Sequence, residues 1–192
     1  MEQRVCVLLA PGYEEVEALT PVDYLRRAGA TVDIISTIED ITVPSAHQVL
    51  VQADSFLEDI KPEDYAMVVV PGGLPGVPNL IANEKVLTFV KAMADQGKWV
   101  TSLCAGPSVL DHAGVLVGKC TTCFPGWEGK LENIGSFSED TVVVDGKVIT
   151  SRGAGAAGYF ALALVKALLG EEKALEVKKA VVMDIVEKNL GL

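Results

Sequence analysis

Cys104 is the residue whose surroundings most clearly suggest chemistry. It follows the apolar run Trp99–Leu103, which predicts a buried strand, and Pro107 suits the first turn of a following helix. Ser102 and Gly106 lie two residues on either side of Cys104, where a tight turn needs small residues. The pattern predicts a nucleophile elbow, a sharp strand-to-helix turn that presents the sulfur at the carboxyl edge of a parallel sheet.

A thiol at the start of a helix is expected to act as a nucleophile. The free N–H groups and partial positive charge of a helix N-terminus favour a thiolate, so we expect the pKa of Cys104 to lie below that of a free cysteine. The same N–H groups could stabilise the oxyanion that forms when the sulfur attacks a carbonyl carbon. The alternative is a buried cysteine that serves as a small apolar side chain at a strand–helix junction.

A second glycine-rich turn could contribute to the same site. The apolar run Met67–Val70 predicts another buried strand, and Gly72 and Gly73 follow it after a proline. Paired glycines allow backbone N–H groups to approach a ligand closely. An ordinary tight turn is the alternative, but two such strand ends in one sheet would supply a nucleophile and an oxyanion hole together.

The sequence offers few candidates for an acid or base. His47 and His112 are the only histidines, and His112 lies eight residues after Cys104, roughly 12 Å along a shared helix. We therefore expect His112 at the surface and no local Cys–His dyad. No histidine follows His112, which counts against a glutamine amidotransferase.

Carboxylates of the first strand-to-helix turn are the other candidates. Glu14, Glu15 and Glu17 follow the first predicted strand, and acids there usually only complement the helix dipole. The turn nevertheless opens at the same sheet edge as Cys104. One carboxyl that faces the crevice could bond the sulfur and transfer a proton, provided burial raises its pKa.

The elements that must position these residues alternate between strands and helices. Short apolar runs predict buried strands at Arg4–Leu9, Thr31–Ser36, Met67–Val70 and Trp99–Leu103. Helical spacing of apolar residues predicts helices at Glu14–Ala28, Glu84–Gln96, Ala156–Leu169 and Glu172–Val182, the first kinked or broken at Pro21. A hairpin is expected around Asp145-Gly146, and Ile41–Val51 predicts a small excursion from the sheet. The alternation predicts an α/β fold with a mostly parallel sheet covered on both faces.

Composition limits the class of protein. The 192 residues fit one domain, 1–192, and 49% of them are hydrophobic. A formal charge of −10 argues against nucleic acid or an anionic membrane as a partner. Neither a membrane-spanning segment nor a signal peptide is recognisable, so we expect a cytoplasmic protein whose four cysteines are reduced.

The other three cysteines predict no metal or disulfide site. Cys120 and Cys123 form a single C-x-x-C pair, whereas structural zinc needs four ligands. On a strand the two side chains would point to opposite faces, out of disulfide reach. Cys6 is expected to fill the core. Cys123 could instead resolve a sulfenic acid on Cys104 into a reversible disulfide, if it points into the crevice.

Several motifs in this order resemble the ThiJ/PfpI superfamily, in particular the branch of the parkinsonism-associated protein deglycase. The resemblance extends over nearly the whole chain. It rests on Leu9-Ala10-Pro11-Gly12, Glu14-Glu15-Val16-Glu17, Pro21-Val22-Asp23, Arg26-Arg27-Ala28-Gly29, Val70-Pro71-Gly72-Gly73, Cys104-Ala105-Gly106-Pro107 and Thr150-Ser151-Arg152-Gly153.

The resemblance implies a fold, an assembly and a set of roles. The fold would be a flavodoxin-like three-layer α/β/α sandwich with a nucleophile elbow, usually in a homodimer. By motif position Cys104 resembles the family nucleophile and Glu17 its protonated carboxylic partner. The backbone N–H groups of Gly73 and Ala105 resemble the oxyanion donors. Arg27 and Arg152 match family arginines near the site, with packing or ion pairing as the alternative.

The activities that the resemblance implies need no cofactor. They are glutathione-independent conversion of small 2-oxoaldehydes, in the manner of a glyoxalase, and removal of early glycation adducts, in the manner of a deglycase. A non-catalytic, redox-regulated stress protein or chaperone is the alternative. An amidase or peptidase is disfavoured, because the peptidase branch has a histidine where this chain has Ala105. Cys123 stands at or beside the position of a second family histidine, which weakens any mechanism that requires it.

The sequence does not decide the role of three large aromatic side chains near these motifs. Tyr13, Phe124 and Trp127 could line a substrate pocket or only pack in the interior.

Overall fold

The computed structural model describes residues 3–192. All four predicted buried strands form at their predicted bounds, because each is a short apolar run between turn residues. The strands are β1 (Arg4–Leu9), β2 (Thr31–Ser36), β3 (Thr42–Pro44), β4 (Leu50–Gln52), β5 (Ser55–Phe56), β6 (Met67–Val70), β7 (Trp99–Leu103), β8 (Cys120–Thr121), β9 (Ser136–Phe137), β10 (Val142–Asp145) and β11 (Val148–Ser151).

Helices connect the strands of the sheet and continue the chain beyond it. They are α1 (Glu15–Arg27), α2 (Gly76–Ala82), α3 (Glu84–Asp95), α4 (Pro107–His112), α5 (Ala157–Leu169), α6 (Glu171–Ala180) and α7 (Met183–Leu190). None of the helices among residues 3–192 combines the length and apolar character that crossing a membrane requires.

The central sheet has seven strands in the order β10-β11-β7-β6-β1-β2-β5. All neighbours are parallel except β10 and β11, which form the predicted hairpin. β3 and β4 pair only with each other, which confirms the predicted excursion. Because β1, β6 and β7 are adjacent and parallel, the turns that follow them meet at one edge of the sheet.

Two apolar layers cover the two faces of the sheet. Along β1, Val5, Val7 and Leu9 point into one core, which includes side chains of α1, α5 and α6. The alternate residues Cys6 and Leu8 point into the other core, with α2, α3 and α4. Alternate side chains of a strand thus pack on opposite faces of the sheet, and helices cover both faces, which gives the predicted three-layer α/β/α sandwich. Cys6 lies in the core, as expected.

Helix α1 is not broken at Pro21, and the helix predicted at Glu172–Val182 ends earlier than expected. Helix α1 continues through Pro21, although proline has no N–H to donate to the carbonyl of Glu17. Val22 and Leu25 on the same helix are buried in the core, and this packing holds the helix together where local propensity would break it. At the other end, the predicted helix Glu172–Val182 stops at Ala180 because Val182 adopts a left-handed conformation, and the unpredicted α7 follows.

Candidate active site

The turn after β7 has the geometry that the sequence predicts for a nucleophile elbow. Cys104 has a φ of 61°, a left-handed conformation that is uncommon for a residue with a side chain. A Cβ atom at Gly106 would lie 2.4 Å from Oγ of Ser102 and 2.8 Å from the carbonyl oxygen of Val70. The small residues on either side of Cys104 are therefore needed for α4 to start immediately after the turn, at Pro107.

Gly106→Ala should disrupt this turn by steric clash of the added methyl group. Backbone strain should not contribute, because Gly106 has an ordinary helical φ of −60°. We expect the free energy of unfolding to fall by about 1–3 kcal/mol, as in an overpacked interior. Displacement of Cys104 should also lower activity by about 100-fold, because reacting groups tolerate little misplacement. Chemical denaturation and steady-state kinetics measure the two effects. Gly155→Ala is the control, since a Cβ there meets nothing within 4 Å; equal effects at both positions would contradict this reading.

The turns after β1, β6 and β7 bring the Glu17 carboxyl and the Cys104 thiol together on either side of Gly72. Val70 on β6 pairs with Ser102 on β7, so Gly72 and Cys104 stand at the same level beyond the two strands. A Cβ atom at Gly72 would lie 2.5 Å from Oε2 of Glu17 and 3.1 Å from Sγ of Cys104. Only glycine leaves room here for the two reactive groups to meet.

Glu17 is a buried carboxyl in the first turns of α1, with 1% of its surface exposed. Its Oε2 accepts the N–H of Gly72 at 2.9 Å, and the carboxyl also shares a hydrogen bond with the Cys104 thiol. Burial raises the pKa of Glu17 to about 7, against the two hydrogen bonds that lower it. The expectation of one acid in this turn with a raised pKa is therefore met by Glu17, and the carboxyl can hold or release a proton near neutral pH.

The expectation of a lowered thiol pKa is wrong as stated. Burial, the charge of Glu17 and the hydrogen bond with Glu17 raise the pKa of Cys104 to about 12, although the N–H groups of Ala105 and Gly73 lower it. The sequence argument considered only the helix N-terminus and omitted both desolvation and the neighbouring carboxylate.

Cys104 and Glu17 nevertheless form a pair that loses its first proton near pH 7. The pKa of about 7 describes the loss of the first proton from the pair, and the pKa of about 12 describes the loss of the second. After the first loss one proton remains between them, on the carboxyl or on the sulfur. The carboxyl, with a pKa of about 7, loses its proton before the thiol, with a pKa of about 12. Transfer of the thiol proton to the Glu17 carboxylate then gives a thiolate beside a protonated acid, and the two N–H groups at the sulfur favour this transfer. The arrangement can therefore supply a nucleophile and an acid at the same pH.

The two backbone donors proposed from the sequence lie at the Cys104 sulfur, and their role as oxyanion donors stays a prediction. The N–H groups of Gly73 and Ala105 both bond to the Cys104 sulfur. Gly73 has a φ of +100°, and a Cβ atom there would lie 2.3 Å from the backbone nitrogen of Glu14. Glycine thus lets this loop pack against the turn after β1 while its N–H faces the sulfur.

A cavity of about 220 Å³ lies over the sulfur. Of the three large side chains left unassigned by the sequence, Phe124 and Trp127 line the cavity, whereas Tyr13 is fully buried in the core. The complete lining is Gly73, Leu74, Cys104, Ala105, Phe124, Pro125, Gly126 and Trp127. Sequence reasoning missed Leu74 and the segment Pro125–Gly126, which have no chemical side chain to signal a role.

Of the two arginines proposed from the sequence, Arg27 lies outside this site, whereas Arg152 lies near Cys123. Arg27 is at the far end of α1, roughly 15 Å along the helix from Glu17, where its Nε donates to Asp23 at 2.7 Å. Within one chain Arg27 is therefore an exposed ion-pairing residue outside the site. Arg152 is half-buried and donates to the carbonyl of Glu139 at 3.0 Å. Burial raises the pKa of the Cys123 thiol to about 11, and the charge of Arg152 opposes this rise.

Cys123 precedes Phe124, a residue of the cavity lining. Its side chain is fully buried, and its sulfur donates to the carbonyl of Phe124 at 3.5 Å. The chain passes close to the elbow here, because the N–H of Phe124 donates to the carbonyl of Cys104 at 2.9 Å. Cys123 is not among the residues that line the cavity, and its role as a resolving thiol stays a prediction.

Neither histidine contacts the Cys104 thiol in the described part of the chain. His112 is exposed, as expected, and its Nδ1 lies 2.8 Å from the carbonyl of Ser108. His47 on the excursion lies 2.9 Å from Glu15, and with Glu14 these groups place ligand atoms within 4.8 Å of one another. Among residues 3–192 this is the one set that could hold a metal ion, but an exposed histidine paired with a carboxylate accounts for it equally well.

The chain matches the DJ-1/PfpI family over residues 3–167. It is 37% identical over 184 residues to the Parkinson disease protein 7 homolog of Danio rerio, covering 94% of this chain and 97% of that one. A Pyrococcus abyssi protein named as a deglycase is 34% identical over 151 residues, covering 78% of this chain and 89% of the other.

A solved structure agrees with these sequence matches. The crystal structure of Drosophila melanogaster DJ-1beta superposes with a TM-score of 0.91 at 35% identity, covering 95% of this chain and 98% of that one. With the family match, the shared architecture and the elbow in agreement, this chain belongs to the DJ-1/PfpI family.

Proposed function

We propose that this chain is a cofactor-free enzyme that uses Cys104 to convert small reactive carbonyl compounds, as a glutathione-independent glyoxalase or a deglycase. The observation that carries the proposal is the half-buried thiol of Cys104 beside the buried carboxyl of Glu17, with two backbone N–H groups at the sulfur. The relative named as a deglycase supports the same class of chemistry. The homodimer and the cytoplasmic location expected from the sequence are part of the proposal.

The first step of the proposed reaction forms a carbon–sulfur bond. The thiolate of Cys104 attacks the aldehyde carbon of a 2-oxoaldehyde, and the electron pair of the C=O bond moves to oxygen. The N–H groups of Gly73 and Ala105 stabilise that oxygen, and the proton held by Glu17 neutralises it. The product of the step is a hemithioacetal.

The second step moves hydrogen within the bound substrate. The Glu17 carboxylate takes the proton from the former aldehyde carbon and gives an enediolate. The hydroxyl proton of this carbon passes to the oxygen of its neighbour, and Glu17 returns its proton to the neighbouring carbon. This gives a thioester of a 2-hydroxy acid, and water then hydrolyses the thioester and releases Cys104. One carbon is oxidised and its neighbour reduced, so the reaction needs no external oxidant or reductant.

Methylglyoxal and no glutathione provide the direct test. We expect the purified protein to produce lactate in equimolar amount to the methylglyoxal consumed, as measured by chromatography. In D₂O the lactate should carry deuterium at C2, because the proton held by Glu17 exchanges with solvent. Loss of methylglyoxal without lactate would point to simple adduct formation on protein side chains and would refute the proposed turnover.

A redox-regulated stress protein is the second candidate, and the same site supports it. The thiol is only half-buried, and donors that stabilise an oxyanion would also stabilise an oxidised sulfur. The methylglyoxal experiment separates the two candidates, because a sensor has no need to release lactate.

A further inference from the structure

We propose that the substrates of Cys104 carry a compact apolar group, above all an aromatic ring, held against Phe124 and Trp127. The inference rests on the proposed function and narrows it. It favours aryl- and alkyl-substituted 2-oxoaldehydes over polyhydroxylated, sugar-derived aldehydes.

The lining of the cavity carries the chemical argument. It contains no charged side chain, and the Cys104 thiol is its only polar side chain apart from the indole N–H of Trp127. That N–H donates to Oγ of Ser108 at 2.8 Å, so Trp127 has no donor left for a ligand. The backbone N–H groups of Gly73 and Ala105 are assigned to the carbonyl oxygen, so the lining has no side chain left to bond the further hydroxyls of a sugar-like substrate. Those hydroxyls would lose water at a cost that an apolar group does not have.

The size of the cavity fits such a group. An apolar cavity of about 150 Å³ is sufficient for benzene. The cavity over Cys104 measures about 220 Å³, which leaves about 70 Å³ for the two-carbon oxoaldehyde unit at the sulfur. A phenyl-substituted 2-oxoaldehyde therefore fills the space, and methylglyoxal leaves most of it empty.

The aromatic wall is fixed to the elbow itself. The N–H of Phe124 donates to Cys104, and the N–H of Trp127 donates to the carbonyl of Phe124, both at 2.9 Å. Lys130 lies 3.5 Å from the centre of the Trp127 ring and stacks on it. The wall is thus ordered before a ligand arrives, which lowers the entropic cost of binding.

Phe124 is the residue that should determine the preference. Its side chain is 48% exposed at the cavity mouth, although its backbone is tied to the nucleophile. Its ring also lies over Gly153, where a Cβ atom would be 3.4 Å from the ring edge. A half-exposed ring in this position gains burial when an apolar substrate covers it.

Three 2-oxoaldehydes test the preference: phenylglyoxal, methylglyoxal and hydroxymethylglyoxal. We expect kcat/KM for phenylglyoxal to exceed that for methylglyoxal by about tenfold or more, with hydroxymethylglyoxal the poorest. Phe124→Ala should lower kcat/KM for phenylglyoxal about tenfold more than it lowers kcat/KM for methylglyoxal, and Phe124→Tyr should restore the preference. Tyr159→Ala, which removes a partly exposed aromatic ring on α5, is the matched control. A preference for the hydroxylated aldehyde, or a ratio that Phe124→Ala leaves unchanged, would overturn the inference.

A binding measurement separates this inference from the proposed function. In a Trp99→Phe variant Trp127 is the only tryptophan, and acetophenone, which has no aldehyde, should quench its fluorescence saturably. Adding Phe124→Ala should weaken that binding by about tenfold. Absence of turnover with all three aldehydes would count against the enzyme, whereas absence of saturable quenching would count against the aromatic pocket.

Discussion

Cys104→Ser is expected to lower kcat/KM for methylglyoxal by about a thousandfold or more. A serine hydroxyl is about as large as the thiol but stays protonated beside Glu17, so no nucleophile of comparable strength remains. The elbow should survive the change, because Ser102 and Gly106 still provide the space that the turn needs. Lactate production by the variant measures the effect, and its melting temperature shows whether the fold is intact.

Cys120→Ser is the matched control for this experiment. Cys120 is half-buried on β8, where its backbone N–H donates to Asp145, and its sulfur takes no part in the cavity. Its replacement should leave lactate production within about twofold of the wild type. Alkylation by iodoacetamide should also lose its fastest-reacting site in Cys104→Ser alone. A Cys104→Ser variant that keeps a tenth of the wild-type rate would remove Cys104 from the mechanism.

The architecture could be predicted because it follows from local patterns. β1, β2, β6 and β7 are continuous apolar runs, and their alternation with helical patterns permits little except a parallel sheet covered on both faces. The elbow was also predictable, since small residues around Cys104 are needed wherever a strand turns sharply into a helix. Helix α7 was not, because its start depends on a left-handed Val182, which no residue type announces.

The chemistry of the site was only partly predictable. A buried carboxyl beside the thiol could be expected from the turn after β1, but burial itself is a property of the assembled sheet edge. The same assembly raises the thiol pKa, so the two groups titrate as a pair and not as separate residues. Phe124 and Trp127 become pocket walls through hydrogen bonds to Cys104 and Ser108, contacts that sequence spacing does not encode.

Glu17→Gln should lower activity and raise stability at the same time. The amide oxygen can still accept the N–H of Gly72, so the local packing should persist. An amide cannot hold a transferable proton, and loss of a general acid–base group typically costs about 100- to 10,000-fold in rate. In the wild type we expect activity to rise with pH towards about 7, where the pair loses its first proton, and this rise should be absent from the residual activity of Glu17→Gln.

The stability of Glu17→Gln should depend on pH in a defined direction. The pKa of Glu17 is raised from 4.5 to about 7 in the folded chain, so below pH 4.5 the carboxyl is protonated in both the folded and the unfolded states and costs nothing. As pH rises from 4.5 to about 7, the unfolded chain releases this proton first, and the wild type loses up to about 3 kcal/mol of stability. Glutamine does not titrate, so the variant should avoid this loss.

Denaturation at several pH values therefore tests Glu17 independently of catalysis. Glu17→Gln should unfold with nearly the same free energy as the wild type at pH 4 and become the more stable of the two by pH 8. Glu58→Gln is the control, because that carboxylate is exposed and pairs only with Lys85 at the surface; it should show no such divergence. If the free energies of unfolding of the wild type and Glu17→Gln change in parallel from pH 4 to pH 8, Glu17 has an ordinary pKa. The carboxyl would then be ionised at neutral pH, and Cys104 would lack the protonated neighbour on which its reactivity depends.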